Sequence, residues 1–153
     1  MNEQQIRTLL EQVQAGEQSI DEAVTSLRML PFEDLGFAMV DHHRALRQGF
    51  PEVILCTGKT AAQVTAIAER ILDAGSDLLA TRASPDVFKV ISERLPAAQY
   101  HEEARTIVEQ KEWRDRGRGE ILVISAGTSD IPIAQEAAVT AEVMGNQVER
   151  IFD

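Results

Sequence analysis

The run Gly127-Thr128-Ser129-Asp130 combines a glycine, two hydroxyls and a carboxylate directly after Ser125-Ala126. Glycine lets a ligand approach the backbone closely, and amides with hydroxyls at a helix entry suit a phosphate or carboxylate. The same residue types cap helices, because their side chains accept from the orphan amides of a first turn. Taken alone, the loop is more plainly read as a cap made by Ser129 or Asp130. A second polar run, Asp41-His42-His43-Arg44 with Arg47 and Glu52, carries more polar groups than a core tolerates unpaired. Adjacent histidines on a helix point about 100° apart, a poor geometry for sharing one metal. A solvated turn with ion pairs is therefore expected there, and no metal site. Lys59 stands in Gly58-Lys59-Thr60, which looks like the end of a phosphate-binding Walker loop. That motif needs a glycine five residues before Gly58, and Val53 occupies the place, so an ATPase reading fails. Lys59 remains an anion contact at a helix entry. Cys56, closing an apolar strand, reads as a small core residue rather than a nucleophile.

The elements that must position these groups follow from periodicity. Ile121-Leu122-Val123-Ile124 is short and rich in β-branched residues, as a strand buried on both faces would be. Pro132 fits the first turn of the next helix, with Ile133, Ala137, Ala141 and Met144 expected on its buried face. Gly145 is placed to end that helix in a left-handed cap. Val148 to Phe152 reads as a second strand, completing a βαβ unit. In such units ligands sit beyond the carboxyl ends of the strands, where the 127–130 loop lies.

Upstream, residues 2–15 read as an amphipathic helix stopped by Gly16. Ser19 and Glu22 form a capping box for a second helix ending before Pro31. Phe32 to Val40 reads as partly extended. Val53 to Cys56 and Asp77 to Thr81 read as strands, with helices from Ala61 to Leu72 and from Pro85 to Leu95. Pro96 to Tyr100 reads as a connection, and Ala104 to Glu109 as either strand or helix. The charged run from Glu112 to Gly119 reads as a link.

A net charge of -10 over 153 residues argues against nucleic acid or an anionic membrane as partner. It leaves room for a phosphorylated small molecule at a local helix terminus. A single cysteine excludes an internal disulfide and fits a reducing cytoplasm. The polar N-terminus is no signal peptide, and no apolar run reaches membrane-spanning length.

Two stretches together resemble one family. The first is Asp41-His42-His43-Arg44 … Arg47-Gln48-Gly49-Phe50-Pro51-Glu52-Val53 … Gly58-Lys59-Thr60. The second is Ser125-Ala126-Gly127-Thr128-Ser129-Asp130 … Ala134 … Glu136-Ala137-Ala138. Both look like the pyridinium-3,5-biscarboxylic acid mononucleotide synthase, or LarB, family of nickel-pincer cofactor biosynthesis. Its C-terminal domain is similar to the aminoimidazole ribonucleotide carboxylase, or PurE, type. The second stretch is shared with that purine enzyme, so the first carries the distinction.

The resemblance implies carboxylation of nicotinic acid adenine dinucleotide on its pyridinium ring by carbon dioxide or bicarbonate, with phosphoanhydride cleavage releasing AMP. It implies Ser125, Gly127, Thr128 and Ser129 as substrate contacts, with Asp130 as the catalytic group. Asp41, Arg44, Arg47 and Lys59 would be further substrate contacts. No tightly bound cofactor is implied, and magnesium is left open. In the family a cysteine adds to the ring, and that cysteine is expected beyond Asp153, so the chain is read as C-terminally shortened.

The expected architecture is α/β: an N-terminal α/β domain over residues 1–116, then the first βαβ unit of a flavodoxin-like, PurE-like parallel sheet over 117–153. So short a sheet is expected to make the protein a homo-oligomer. The rivals are a purine-pathway carboxylase and a non-catalytic nucleotide-binding or assembly module.

Overall fold

The structure is a computed structural model that describes residues 3–28, 32–42, 44, 48–111 and 117–153. The protein is mixed α/β, as the sequence predicts. The chain divides into two compact units, Met1–Glu52 with Arg70–Ser76, and Val53–Glu69 with Asp77–Asp153.

The first unit begins with α1 (Glu3–Gln14) and α2 (Ile20–Arg28), followed by the antiparallel hairpin of β1 (Phe32–Asp34) and β2 (Met39–Asp41). Gly16, at φ 74°, ends the first helical stretch in a conformation glycine adopts without penalty. The capping box of α2 forms as predicted: the Ser19 amide and hydroxyl both donate to Glu22 Oε2 at 2.8 Å, and the Glu22 amide donates to Ser19 Oγ at 3.2 Å. Leu9, Ala23 and Val40 are buried in this unit.

The second unit is built on a four-stranded sheet of order β3-β4-β6-β5. Strand β3 (Val53–Leu55) runs parallel to β4 (Leu78–Thr81), joined by α3 (Ala61–Asp73). Helix α4 (Pro85–Arg94) follows, then β5 (Gln99–His101) and β6 (Thr106–Glu109), each antiparallel to its neighbour. Every residue of β4 is buried, as befits a central strand covered on both faces. Leu78, Leu79, Ile107, Val64 and Ile91 form the centre of this core. The segment around Gln99 thus pairs as a strand where the sequence suggested a connection, and residues 106–109 resolve as strand. Cross-strand pairing decides both, and local propensity does not carry it. The 112–116 part of the expected link lies outside the described residues.

Strand β7 (Glu120–Ser125), helix α5 (Ile131–Val143) and β8 (Gln147–Phe152) form the predicted βαβ unit, with β7 and β8 paired in parallel, Ile121 opposite Val148 and Ser125 opposite Phe152. Two expectations fail here. Strand β7 is not buried on both faces: Leu122 is 48% and Ile124 66% exposed, and Ile151 beside them 50%. Helix α5 packs against β7 and β8, while the face carrying these three side chains has no layer over it among the described residues. The helix also turns a different stripe inward, burying Ala134, Ala138, Val139 and Val143 and leaving Ile133 68% exposed. Apolar residues surround this helix almost evenly, so their spacing does not fix its rotation. A polar clamp accompanies the observed rotation: Arg150 of β8 donates to both carboxylate oxygens of Glu142, at 2.7 and 2.6 Å, and to Gln135 Oε1 at 3.3 Å. Gly145, at φ 86°, ends α5 as predicted, with the Asn146 amide donating back to Ala141 O at 3.1 Å.

Candidate functional site

At the carboxyl ends of β7 and β8 the backbone ladder runs on past the strands. The Asp153 amide donates to Ser125 O at 3.1 Å, and the Gly127 amide to Asp153 O at 3.0 Å. Gly127 sits at φ 98°, a region that penalises any Cβ, and the place where a Cβ would stand is open space. The Asp130 amide donates to Gly127 O at 3.0 Å, closing the turn that starts α5. Asp130 occupies the N-cap position at φ -94°, ψ -14°, but its side chain makes no capping bond. Capping, the plainer account of this loop, is therefore not what its carboxylate does. An N-cap residue needs extended backbone to turn its side chain onto the first-turn amides, and Asp130 is helical instead.

Residues 126–130 are exposed. Ser125 Oγ is buried and finds no hydrogen-bond partner among the described residues. Ser125, Gly127, Thr128, Ser129 and Asp130 share one strand-to-helix segment, with open space at Gly127, a Ser125 hydroxyl that is enclosed and without a partner among the described residues, and an exposed Asp130 that makes no capping bond.

Lys59 stands at the carboxyl end of β3 in the same unit. Gly58, at φ 79°, makes the turn, and Thr60 caps α3 reciprocally: Gln63 Oε1 accepts from the Thr60 amide at 2.9 Å, and the Gln63 amide donates to Thr60 Oγ1 at 3.2 Å. Lys59 Nζ donates to Leu55 O at 2.9 Å. Cys56 is buried, and burial pushes its thiol up to about 11, opposed weakly by the Lys59 charge. A thiol so placed stays protonated near neutral pH and is a poor nucleophile. This agrees with its reading as a core residue.

Two arginines that sequence reasoning passed over stand nearby. Arg82, directly after β4, has φ 53°, and Arg105, directly before β6, has φ 49°. A left-handed arginine leaves no mark in a sequence, whereas a glycine at either place would have signalled a turn.

In the first unit, the Asp41 amide donates to Glu52 Oε2, and Arg44 is exposed. His42 Nε2 lies 3.1 Å from Glu33 Oε2, whose other oxygen lies 2.9 Å from Arg70 Nε. The ion-paired turn expected here is thus present in part, while Arg47 and His43 lie outside the described residues. Among the described residues no three His, Cys, Asp or Glu side chains gather closely enough to hold a metal ion. No helix there is long and apolar enough to cross a membrane.

A separate cleft of about 340 Å³ opens between β5, β6 and α5, with Gln99, His101, Gln110 and Glu142 on its walls. None of the sequence-predicted site residues lines it. Two of its polar groups are already engaged, Glu142 with Arg150 and Gln110, whose Nε2 donates to Val143 O at 3.0 Å.

Comparison with known proteins bears on residues 32–111, more than half of the chain. They match the family described as the LarB/PurE-like N-terminal domain. Along 97% of its length the chain is 28% identical to the uncharacterized protein MJ0165 of Methanocaldococcus jannaschii. It spans 60% of that relative's length. The matched span holds Asp41, Arg44, Arg47 and Lys59, and the chain belongs to the LarB/PurE-like N-terminal domain family.

Proposed function

We propose that this chain serves a carboxylase-like enzyme of the PurE-related kind, whose substrate is nicotinic acid adenine dinucleotide. The reaction would place carbon dioxide or bicarbonate on the pyridinium ring and cleave the phosphoanhydride, releasing AMP, in nickel-pincer cofactor synthesis. A pyridinium ring is an electrophile, so a nucleophile must add before the ring carbon attacks carbon dioxide. Cys56 is unsuited to that step, because its thiol is held protonated by burial. The nucleophile is proposed to lie outside these 153 residues. The chain's own contribution is to bind and orient the dinucleotide.

The observation that carries this reading is the loop after β7, where the Ser125 hydroxyl lacks a partner among the described residues and, two residues on, Gly127 leaves open space at its backbone. A buried hydroxyl without a partner is costly, and a small shift of the loop that admits a substrate oxygen would satisfy it. Thr128 and Ser129 add hydroxyls, and the start of α5 adds the positive end of a helix dipole. Asp130 would repel a bound phosphate, so its proposed role is to move a proton or orient the ring. Asp41, Arg44, Arg47 and Lys59 are proposed as further substrate contacts on the strength of the family resemblance. Any magnesium would arrive on the dinucleotide's phosphates. The proposed protein is cytoplasmic and self-associates, the physical ground for association being the exposed apolar face of Leu122, Ile124 and Ile151. A monomer by light scattering at high concentration would remove that last part.

Calorimetric titration with nicotinic acid adenine dinucleotide tests the reading. Saturable binding, weakened several-fold by Ser125→Ala, is the expected result. No binding, or equal binding by the variant, would overturn it.

A further inference from the structure

The carboxyl end of the parallel β3–β4 pair gathers positive charge in a protein whose net charge is -10. Three backbone hydrogen bonds bring the contributing segments together. The Cys56 amide donates to Thr81 O at 3.0 Å, joining the ends of β3 and β4. The Lys59 amide donates to Cys56 O at 3.0 Å, folding the lysine turn back over the strand end. The Ala83 amide donates to Arg105 O at 2.7 Å, bringing the start of β6 beside the turn after β4. Tyr100 fastens the same corner, its hydroxyl donating to Ala83 O at 3.0 Å while its ring stacks on Phe88 with centroids 5.0 Å apart. Lys59, Arg82 and Arg105 thus belong to adjoining segments at one end of the sheet.

These charges are not closely paired, although the Lys59 ammonium donates to Leu55 O at 2.9 Å. Neither Lys59 nor Arg105 pairs with a carboxylate among the described residues. Among the described residues Arg82 pairs with one carboxylate, Nε to Glu136 Oε1 at 3.7 Å, and its side chain is 59% exposed. Glu102 and Glu103 stand in the turn before Arg105, the Glu102 carbonyl accepting from the Arg105 amide at 3.1 Å and the Glu103 carboxylate from Gln135 Nε2 at 3.0 Å, and Asp86 lies in the first turn of α4. Both arginines also hold left-handed backbone that glycine adopts without penalty. Residues kept in such conformations cluster where a ligand is clamped.

We propose that Lys59, Arg82 and Arg105 form a binding site for a phosphoryl anion at the carboxyl end of β3 and β4. The ligand class is a diphosphate or the phosphoanhydride of a nucleotide, whose two adjacent charges match separate cations better than a single carboxylate does. Guanidinium groups bind phosphate oxygens in pairs, and the ammonium of Lys59 adds a point charge. The positive ends of α3 and α4, which start at Ala61 and Pro85, reinforce the same sign. The site rests on the proposed function only for which molecule carries the anion.

Inorganic pyrophosphate, titrated calorimetrically into the 153-residue protein, is the probe. Saturable binding is expected, weakened about tenfold by Arg82→Gly and about tenfold by Arg105→Gln, the scale of one charge-assisted contact. The affinity should fall with added salt, less steeply in each variant. Arg94→Gln serves as the charge control, because Arg94 pairs with Glu69 at 3.2 Å on the flanks of α3 and α4. It should bind as the parent does. Thermal melting separates binding from folding, since Arg82→Gly relieves a left-handed arginine and should melt no lower than the parent. Absence of saturable binding overturns the proposal. So does undiminished binding by both variants, or equal weakening by Arg94→Gln. Pyrophosphate binding that responds to these residues, with no binding of the nicotinate dinucleotide, would uphold the site and remove only the proposed substrate.

Discussion

Arg82 Nε lies 3.7 Å from Glu136 Oε1, linking the turn after β4 to the second turn of α5. Both residues belong to the second unit. The contact is long for an ion pair and its arginine is mostly exposed, so it holds little energy. Glu136→Gln should change stability by about 0.5 kcal/mol or less in urea unfolding. Removing the carboxylate also frees Arg82, so the same variant should bind pyrophosphate more tightly than the parent. Weaker binding would mean that Glu136 positions Arg82 rather than competing for it.

Arg82→Gly carries an opposite pair of expectations. A non-glycine residue at φ 53° costs on the order of 1 kcal/mol against glycine, and the lost ion pair offsets a small part. Urea unfolding should therefore show a gain of about 0.5–1 kcal/mol, alongside the loss of anion affinity. A stability loss would show that the guanidinium does structural work that its one long contact does not reveal.

The pH dependence of α2 follows from its capping box. The Ser19 amide, then its hydroxyl, hold the Glu22 carboxyl below its ordinary 4.5. A carboxyl whose folded value is depressed adds stability above its unfolded value, and that stability is lost as pH falls through the folded one. Thermal melts should decline through this acid range in the parent. They should decline less in Ser19→Ala, which removes the hydroxyl partner. Parallel curves for the two proteins would contradict the box as a source of acid sensitivity.

Cys56 behaves in the opposite sense. Burial raises its thiol from 9.0 to about 11, so the folded state holds the proton longer than the unfolded chain. Its contribution is complete below 9.0 and is lost as pH rises toward about 11. Alkylation by iodoacetamide should be slow in the folded protein at neutral pH and fast in urea. The family reading adds that these 153 residues, given the nicotinate dinucleotide and labelled bicarbonate, should fix no label. Rapid alkylation together with label fixation would restore Cys56 as a nucleophile.

Local chemistry was legible in the sequence and context was not. Ser19 and Glu22 bond as their spacing requires, Gly145 ends α5, and Pro85 starts α4, because each outcome depends on neighbours within a few residues. The rotation of α5 was not legible. Its apolar residues allow several faces, and the pairing of Glu142 with Arg150 that goes with the observed one involves a different element. Ile121 to Ile124 read as doubly buried because composition reports what a strand tolerates rather than what covers it. In the β7–α5 loop, Ser125 and Gly127 were singled out by residue type. Arg82 and Arg105 were missed because positive φ on arginine is imposed by the tertiary fold.

The β7–α5 loop gives the last expectation, in which backbone and side chain separate. Gly127→Val puts a β-branched residue at φ 98°, which is strained whatever the room around it, and fills the open space where a ligand would approach. It should lower stability by more than 1 kcal/mol, on the order expected at positive φ, and abolish dinucleotide binding. Asp130→Asn keeps the shape, and no capping bond is there to lose. Stability should stay within about 0.5 kcal/mol of the parent, and affinity should hold or rise as a carboxylate leaves the anion's neighbourhood. In a protein that also carries the nucleophile, Asp130→Asn should slow turnover if the carboxylate moves a proton. The diagnostic is a fall in kcat while KM changes little. Unchanged binding in Gly127→Val and unchanged turnover in Asp130→Asn would together reduce the loop to a plain strand-to-helix turn.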